Sequence, residues 1–343
     1  MRLIYSPRHK LHNPNNITVD GNPFTSEEVP ARAELILDAL LQAGLVDVFE
    51  PQDHGMPPLS AVHTPDYLDF LQNAYDRWAA YYGQPEPVLP GSVAPRTAQR
   101  KPNSVTGLAG YSGFGVGSPI LEGTWQAAYW SAQCALTAAG HVAGGQRAAY
   151  ALCRPPGHHA AADLFGGFCY LNNAAIAARY LGEHVAILDI DYHHGNGTQQ
   201  IFYSDPHVLY CSLHAHPDED YPFYWGEPCE TGADTGLGFN HNRTLPQQAS
   251  DVQYLAVLED LLEIIRQYGP RYLVLSLGFD TAQGDEVGGF AVTPAGFAAI
   301  GARIASLGTP TVIVQEGGYL LDRLGINAVS FFRPWIEGEM SDP

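Results

Sequence analysis

The chain has 343 residues, with 36 Asp and Glu against 17 Lys and Arg, a formal net charge of −19, and only two lysines, Lys10 and Lys101. That balance argues against nucleic acid, whose binders use Lys and Arg to displace counterions from phosphate, and against docking on an anionic membrane. No apolar run reaches the roughly 18 residues of a membrane span, and the start Met1-Arg2-Leu3-Ile4-Tyr5-Ser6 turns polar too soon for a signal-peptide core, so a cytoplasmic protein is expected.

With 45% hydrophobic residues the chain can bury a large core, and its length suits one large α/β domain or two smaller ones. Cys134, Cys153, Cys169, Cys211 and Cys229 are odd in number, widely spaced and without a CxxC. They predict neither a disulfide framework nor a zinc finger, but small residues beside buried strands.

In chain order, short β-branched and apolar runs predict strands at 3–5, 148–152, 185–190, 208–213, 272–277 and 311–314. They are too short for helices and too continuously apolar for one-sided strands, which marks central strands covered on both faces. Helical patterns fall between them at 31–43, 65–79, 124–143, 172–181, 251–268 and 294–307. Thr293-Pro294 reads as an N-cap followed by an N1 proline, and Gly269-Pro270 and Gly308 read as C-terminal stops. The alternation predicts a mostly parallel, doubly wound sheet with helices on both faces. The segment 84–123 breaks the pattern with Pro, Gly and Ser and little periodicity, while its Val105, Leu108, Tyr111, Phe114 and Val116 predict an ordered loop that packs on something.

Ligands of an open parallel sheet bind outside the carboxyl ends of the strands, and the chemistry of this sequence collects there. The strand at 148–152 runs into Arg154-Pro155-Pro156-Gly157-His158-His159; that at 185–190 contains Asp189 and runs into Asp191-Tyr192-His193-His194. Those at 208–213, 272–277 and 311–314 end at His214, at Gly278-Phe279-Asp280 and at Glu316-Gly317-Gly318-Tyr319. Asp191, His193 and Asp280 form a plausible site for a borderline divalent metal, and three protein ligands leave a position open for water, as in catalytic sites. One of His158 and His159 can take a proton from such a water, while the other, charged or oriented by Asp189, stabilises an oxyanion. The Tyr319 phenol can share a polarised carbonyl oxygen with the metal.

With Phe165-Gly166-Gly167-Phe168-Cys169, Gly195-Asn196-Gly197-Thr198 and Ser212-Leu213-His214, these motifs resemble the histone deacetylase superfamily over almost the whole chain, and within it bacterial acetylpolyamine amidohydrolases. The resemblance implies a single deacetylase domain over 1–343 with the arginase/deacetylase α/β fold, and zinc-dependent hydrolysis of the acetyl amide of small acetylated amines such as acetylputrescine and acetylcadaverine. It implies zinc, or iron(II) in cells, on Asp191, His193 and Asp280. His159 is implied as general base and acid, His158 as its partner hydrogen-bonded to Asp189, and Tyr319 as the phenol that polarises the carbonyl. A structural potassium ion is implied on Asp189, Asp191 and His193 with Ser212 and Leu213. Phe168 and Tyr221, with Gly167, match the walls of a narrow channel, and 84–123 matches an insertion that packs on a second subunit, implying a homodimer.

Two departures stand out. Asn196 occupies a place where some relatives have Asp, which gives His159 a neutral partner. Thr106 and Gly117 align where the polyamine enzymes place glutamates in the loop, so Glu122 or the run Asp218-Glu219-Asp220 is left to supply negative charge. The readings that remain beside a small-amine deacetylase are a lysine deacylase acting on acetyl- or acyl-lysine in peptides, an arginase-like dimanganese hydrolase, and a catalytically silent binding protein.

Overall fold

The computed structural model describes residues 1–19, 22–95 and 100–337. Its centre is an eight-stranded sheet in the order β4-β1-β5-β10-β9-β6-β7-β8, in which every neighbouring pair is parallel. The strands are β1 (Arg2–Ile4), β4 (Asp47–Phe49), β5 (Ala148–Ala151), β6 (Val185–Asp189), β7 (Val208–Ala215), β8 (Asn240–Leu245), β9 (Tyr272–Leu277) and β10 (Thr311–Gln315); β2 (Thr18–Val19) and β3 (Asn22–Pro23) form a separate small ladder. The six expected strands are all present. The two outer strands β4 and β8 are additions: β4 is three exposed residues, and β8, Asn-His-Asn-Arg-Thr-Leu, carries no apolar run.

The helices are α1 (Ala31–Gln42), α2 (Pro57–Ser60), α3 (Pro65–Tyr82), α4 (Val105–Tyr111), α5 (Thr124–Ala143), α6 (Asn173–Leu181), α7 (Asn196–Phe202), α8 (Asp251–Tyr268), α9 (Pro294–Ala305) and α10 (Leu321–Glu337). The punctuation behaves as expected. The Thr293 side chain accepts from Gly296 N at 3.1 Å ahead of Pro294, and Gly269 closes α8 in the left-handed region at φ 64°. Of the four additional helices, α4 lies inside 84–123, which is therefore not structureless.

Alternation along the strands builds two cores, one on each face of the sheet. Val185, Ile187 and Val274 pack with α3, α5 and α6, whereas Ala186, Leu188, Leu273 and Leu275 pack with α1, α8, α9 and α10. The alanine-rich face of α5 (Ala128, Ala132, Ala135, Ala139) is buried in the first core. Four cysteines are buried as expected, while Cys229 is exposed. With both faces covered, polar groups can gather only at strand ends, and the loops after β5, β6, β9 and β10 meet at the carboxyl edge of the four central strands.

Candidate metal and catalytic site

Asp191, His193 and Asp280 are buried, and one ligating atom from each lies within 4.8 Å of the others. His193 Nδ1 is 3.2 Å from Asp191 Oδ1 and 3.2 Å from Asp280 Oδ2. The backbone fixes the carboxylates: His193 N donates to Asp191 Oδ1 at 2.9 Å, Gly317 N to Asp191 Oδ2 at 2.7 Å and Tyr192 N to Asp280 Oδ1 at 3.0 Å. Gly317 is required for this approach, since a Cβ there would stand 2.2 Å from Asp280 Oδ2 and 2.6 Å from Asp191 Oδ2.

The charges of this trio fit a divalent cation. Burial and the adjacent Asp191 push the Asp280 carboxyl up to about 7. Burial also pushes Asp191 up, but His158 and His193 outweigh it and hold that carboxyl well below the usual range. Burial disfavours a charged His193, yet hydrogen bonds and charge from Asp191 and Asp280 hold its imidazole well above its ordinary value. Asp191 and Asp280 thus favour positive charge at the His193 ring, and a divalent cation held by these three residues would supply it in place of the proton.

The tandem histidines are differentiated. His158 Nδ1 lies 3.1 Å from Asp189 Oδ2, which also accepts from Tyr210 Oη at 3.1 Å. Burial opposes a charged His158, but Asp191 and Asp189 override it and raise its pKa to about 10. His159 Nδ1 instead lies 2.7 Å from Asn196 Oδ1, an oxygen that can only accept, so Nδ1 carries hydrogen and Nε2 keeps a lone pair. Burial, then the charges of His158 and His193, depress His159 well below the usual imidazole range. The pair therefore presents one imidazolium and one neutral base.

His159, His193 and Tyr319 open on one pocket of about 290 Å³, lined also by Gly167, Phe168, Tyr221, Asp220, Val287 and residues 115–118. Gly167 and Phe168 have φ of 54° and 65° in a turn closed by Gly166 and Cys169 (Cys169 N to Gly166 O 2.9 Å). A Cβ at Gly167 would stand 2.3 Å from His159 Cδ2, so only glycine lets this turn lie against the histidine. The expected channel residues Gly167, Phe168 and Tyr221 are all in the wall. Ser212 and Leu213 are buried in β7, with Ser212 in register beside Asp189.

The acids expected near the channel mouth are divided by the structure. Asp220 lines the pocket. Glu122 does not: it borders a separate surface hollow with Lys10, Tyr75 and Gln126. Thr106 sits in α4 away from the pocket, and Gly117 is part of its wall. The loop packs on its own chain, with Phe114 N donating to Phe165 O at 3.0 Å and Phe168 N to Ser118 Oγ at 2.8 Å. Residues 96–99 of this segment lie outside the described residues.

Several site residues escaped the sequence reading. Glu316 Oε2 accepts from Gly157 N at 2.6 Å and His158 N at 3.1 Å, tying the end of β10 to the histidine loop. Asp285 Oδ2 accepts from Tyr319 N at 2.7 Å and Leu320 N at 2.8 Å. Glu28 Oε1 is 2.8 Å from both Arg32 Nη1 and Arg154 Nε. Arg32 in turn donates to Gly318 O and Glu316 O at 2.5 and 2.7 Å and lies 4.5 Å over the Tyr319 ring. Glu316 and Arg154 carried a local signal, as the first residues of the glycine turn before Tyr319 and of the Arg-Pro-Pro-Gly turn, whereas Asp285, Glu28 and Arg32 carried none.

A family model described as "Histone deacetylase domain" matches residues 26–333. The chain belongs to the histone deacetylase family. It is similar to acetylpolyamine amidohydrolase of Burkholderia pseudomallei, 45% identical over 338 residues that cover 97% of this chain and 98% of that protein. It is also similar to acetylpolyamine amidohydrolase 1 of Pseudomonas aeruginosa, 43% identical over 337 residues and covering 96% and 97%. The crystal structure of an acetylpolyamine aminohydrolase from Burkholderia pseudomallei superposes with a TM-score of 0.91 at 43% identity, covering 98% of each chain. The parallel α/β sheet predicted from the sequence is the fold of this family. Among the described residues no helix is long and apolar enough to cross a membrane.

Proposed function

We propose that the protein is a metal-dependent deacetylase that hydrolyses the acetyl amide of small acetylated amines, with acetylputrescine and acetylcadaverine as representative substrates. The observation that carries this reading is the convergence of His159, His193 and Tyr319 on one pocket, with the carboxylates of Asp191 and Asp280 directly behind His193. The full-length likeness to acetylpolyamine amidohydrolases supports the substrate class.

Asp191, His193 and Asp280 would hold the metal, which we read as zinc, or iron(II) in cells; when bound it supplies Lewis acidity toward the carbonyl and makes water easier to deprotonate. His159, kept neutral, accepts a proton from the attacking water at Nε2 and later delivers it to the leaving amine. His158, paired with the Asp189 carboxylate, offsets negative charge beside it. The Tyr319 hydroxyl donates to the carbonyl oxygen as that oxygen gains charge. Phe168 and Tyr221 enclose the alkyl chain. A structural potassium ion beside Asp189, with Asp191, His193, Ser212 and Leu213, belongs to the same reading.

A homodimer belongs to it as well. Val116 in the pocket wall, and Phe223 and Tyr224 just beyond Tyr221 in sequence, are exposed, and a partner subunit would cover these apolar groups.

The test is hydrolysis of acetylputrescine, acetylcadaverine, acetylspermidine and acetyl-lysine peptides by one zinc-loaded preparation. The reading expects kcat/KM for at least one free acetylated amine to exceed that for the peptides; activity confined to peptides or proteins would replace it with a lysine deacylase.

A further inference from the structure

The pocket wall carries one carboxylate. Of its lining residues, His159, His193 and Tyr319 form the reacting end, Phe168, Tyr221, Val116 and Val287 supply apolar surface, and Asp220 supplies charge. Asp220 is half-buried, whereas His159, His193 and Tyr319 are buried, so it stands nearer to solvent than the reacting groups.

Its carboxylate is held by neutral donors. Tyr192 Oη donates to Oδ2 at 2.7 Å, and Tyr221 N donates to Oδ1 at 2.8 Å. Both bonds orient the group and neither neutralises it. Among the described residues no Lys, Arg or His side chain forms an ion pair with Asp220, although the neighbouring strand ends contain several such pairs. An unneutralised carboxylate fixed in a largely apolar wall focuses negative potential along the pocket, and it leaves lone pairs free for a charge-assisted hydrogen bond.

We propose that Asp220 is the specificity-determining residue that receives the distal ammonium of the substrate. This rests on the deacetylase reading above. Within that reading a substrate with its acetyl amide at His159 and Tyr319 extends its alkyl chain between Phe168 and Tyr221 and brings a terminal cation to Asp220. Glu219 and Asp218, next to it in sequence, are not in the pocket wall; Glu219 accepts from Gln247 N at 3.4 Å instead. The selectivity is thus assigned to one side chain and not to the acidic run as a whole.

The experiment compares acetylcadaverine with N-hexylacetamide, in which a methyl group replaces the terminal ammonium, using zinc-loaded wild type, Asp220→Asn and Glu219→Gln. The readout is the ratio of the two kcat/KM values. Asp220→Asn keeps an acceptor for the Tyr221 N–H and removes the charge; it should lower the ratio by about 10- to 100-fold, the worth of a charge-assisted hydrogen bond. Glu219→Gln should keep the wild-type ratio. A wild-type ratio well above one that survives in Asp220→Asn overturns the assignment and leaves the deacetylase reading standing. So does an Asp220→Asn variant that loses both substrates equally, since the residue would then only support the wall. A wild type that hydrolyses neither compound, or both alike, overturns the choice of a cationic amine and Asp220 with it.

Discussion

His159 Nδ1 lies 2.7 Å from Asn196 Oδ1, while its neighbour His158 is paired with the carboxylate of Asp189. One imidazole faces an amide and the other an anion, which separates their protonation. Asn196→Asp would give His159 a carboxylate partner and raise its pKa. His159 must be neutral to accept a proton, so activity falls as pH drops through its pKa, and the acidic limb of the kcat/KM profile should move to higher pH by about one unit, the scale of a single charge partner. An unchanged limb would remove His159 from the role of base.

Tyr319→Phe should lower kcat by about 10²- to 10³-fold, as for other donors to a developing oxyanion, with metal content unchanged. His159→Ala should cost about 10²- to 10⁴-fold, the range for a general base. Asp191→Ala differs in kind, because it should lose the metal along with activity. Elemental analysis beside steady-state rates separates the two patterns; stoichiometric metal in Asp191→Ala would contradict the ligand set.

Glu28, Arg32 and Arg154 form a buried brace between the histidine loop and the tyrosine loop. Burial pushes the Glu28 carboxyl up, but Arg154 and Arg32 outweigh it and lower its pKa. Its stabilisation is therefore present above the unfolded carboxyl pKa of about 4.3 and is lost as pH falls further. Glu28→Gln leaves two buried guanidinium groups short of their anion and should destabilise the fold by about 3 kcal/mol or more, read as a lower urea midpoint at pH 7. A midpoint equal to wild type would show that the brace contributes nothing.

Acid should weaken the fold through its buried histidines. His12 and His63 are fully buried, and burial above all lowers them to about 3 and about 4. The unfolded chain takes up protons at these residues below about pH 6.5 while the native state does not, so stability falls as pH drops from about 6.5 toward 4. Each contributes up to about 1.4 kcal/mol per pH unit in that window. Urea unfolding at pH 7, 6 and 5 checks this, with a flat profile as the opposing result.

How far the sequence carried this picture depends on distance along the chain. The central strands and the convergence of Asp191, His193 and Asp280 were readable because each sits in or just after a short apolar run with its own glycine turn. α10 was not, since Gly325 and Pro334 interrupt its pattern and it holds through packing of Phe331 and Phe332 in the core. β8 was hidden by its polar composition. The Arg32 bond to Gly318 spans 286 residues, and no local pattern announces such a contact. Glu122 and Asp220 looked equivalent as nearby acids, and only the path of the inserted loop sends one to a separate hollow and the other into the pocket.

The dimer has its own check. Sedimentation equilibrium should give twice the monomer mass, and Val116→Asp, which charges an exposed apolar position beside the pocket, should shift the population toward monomer. A monomeric wild type at micromolar concentration would remove the partner subunit from the account.

The most direct measurement is a zinc titration of chelator-stripped enzyme with acetylcadaverine as substrate. Hydrolysis should be absent at the start, rise in proportion to added zinc and level off at one equivalent per chain. Full-rate hydrolysis by the stripped enzyme, or no hydrolysis after one equivalent in a folded preparation, would contradict a metal-dependent deacetylase built on Asp191, His193 and Asp280.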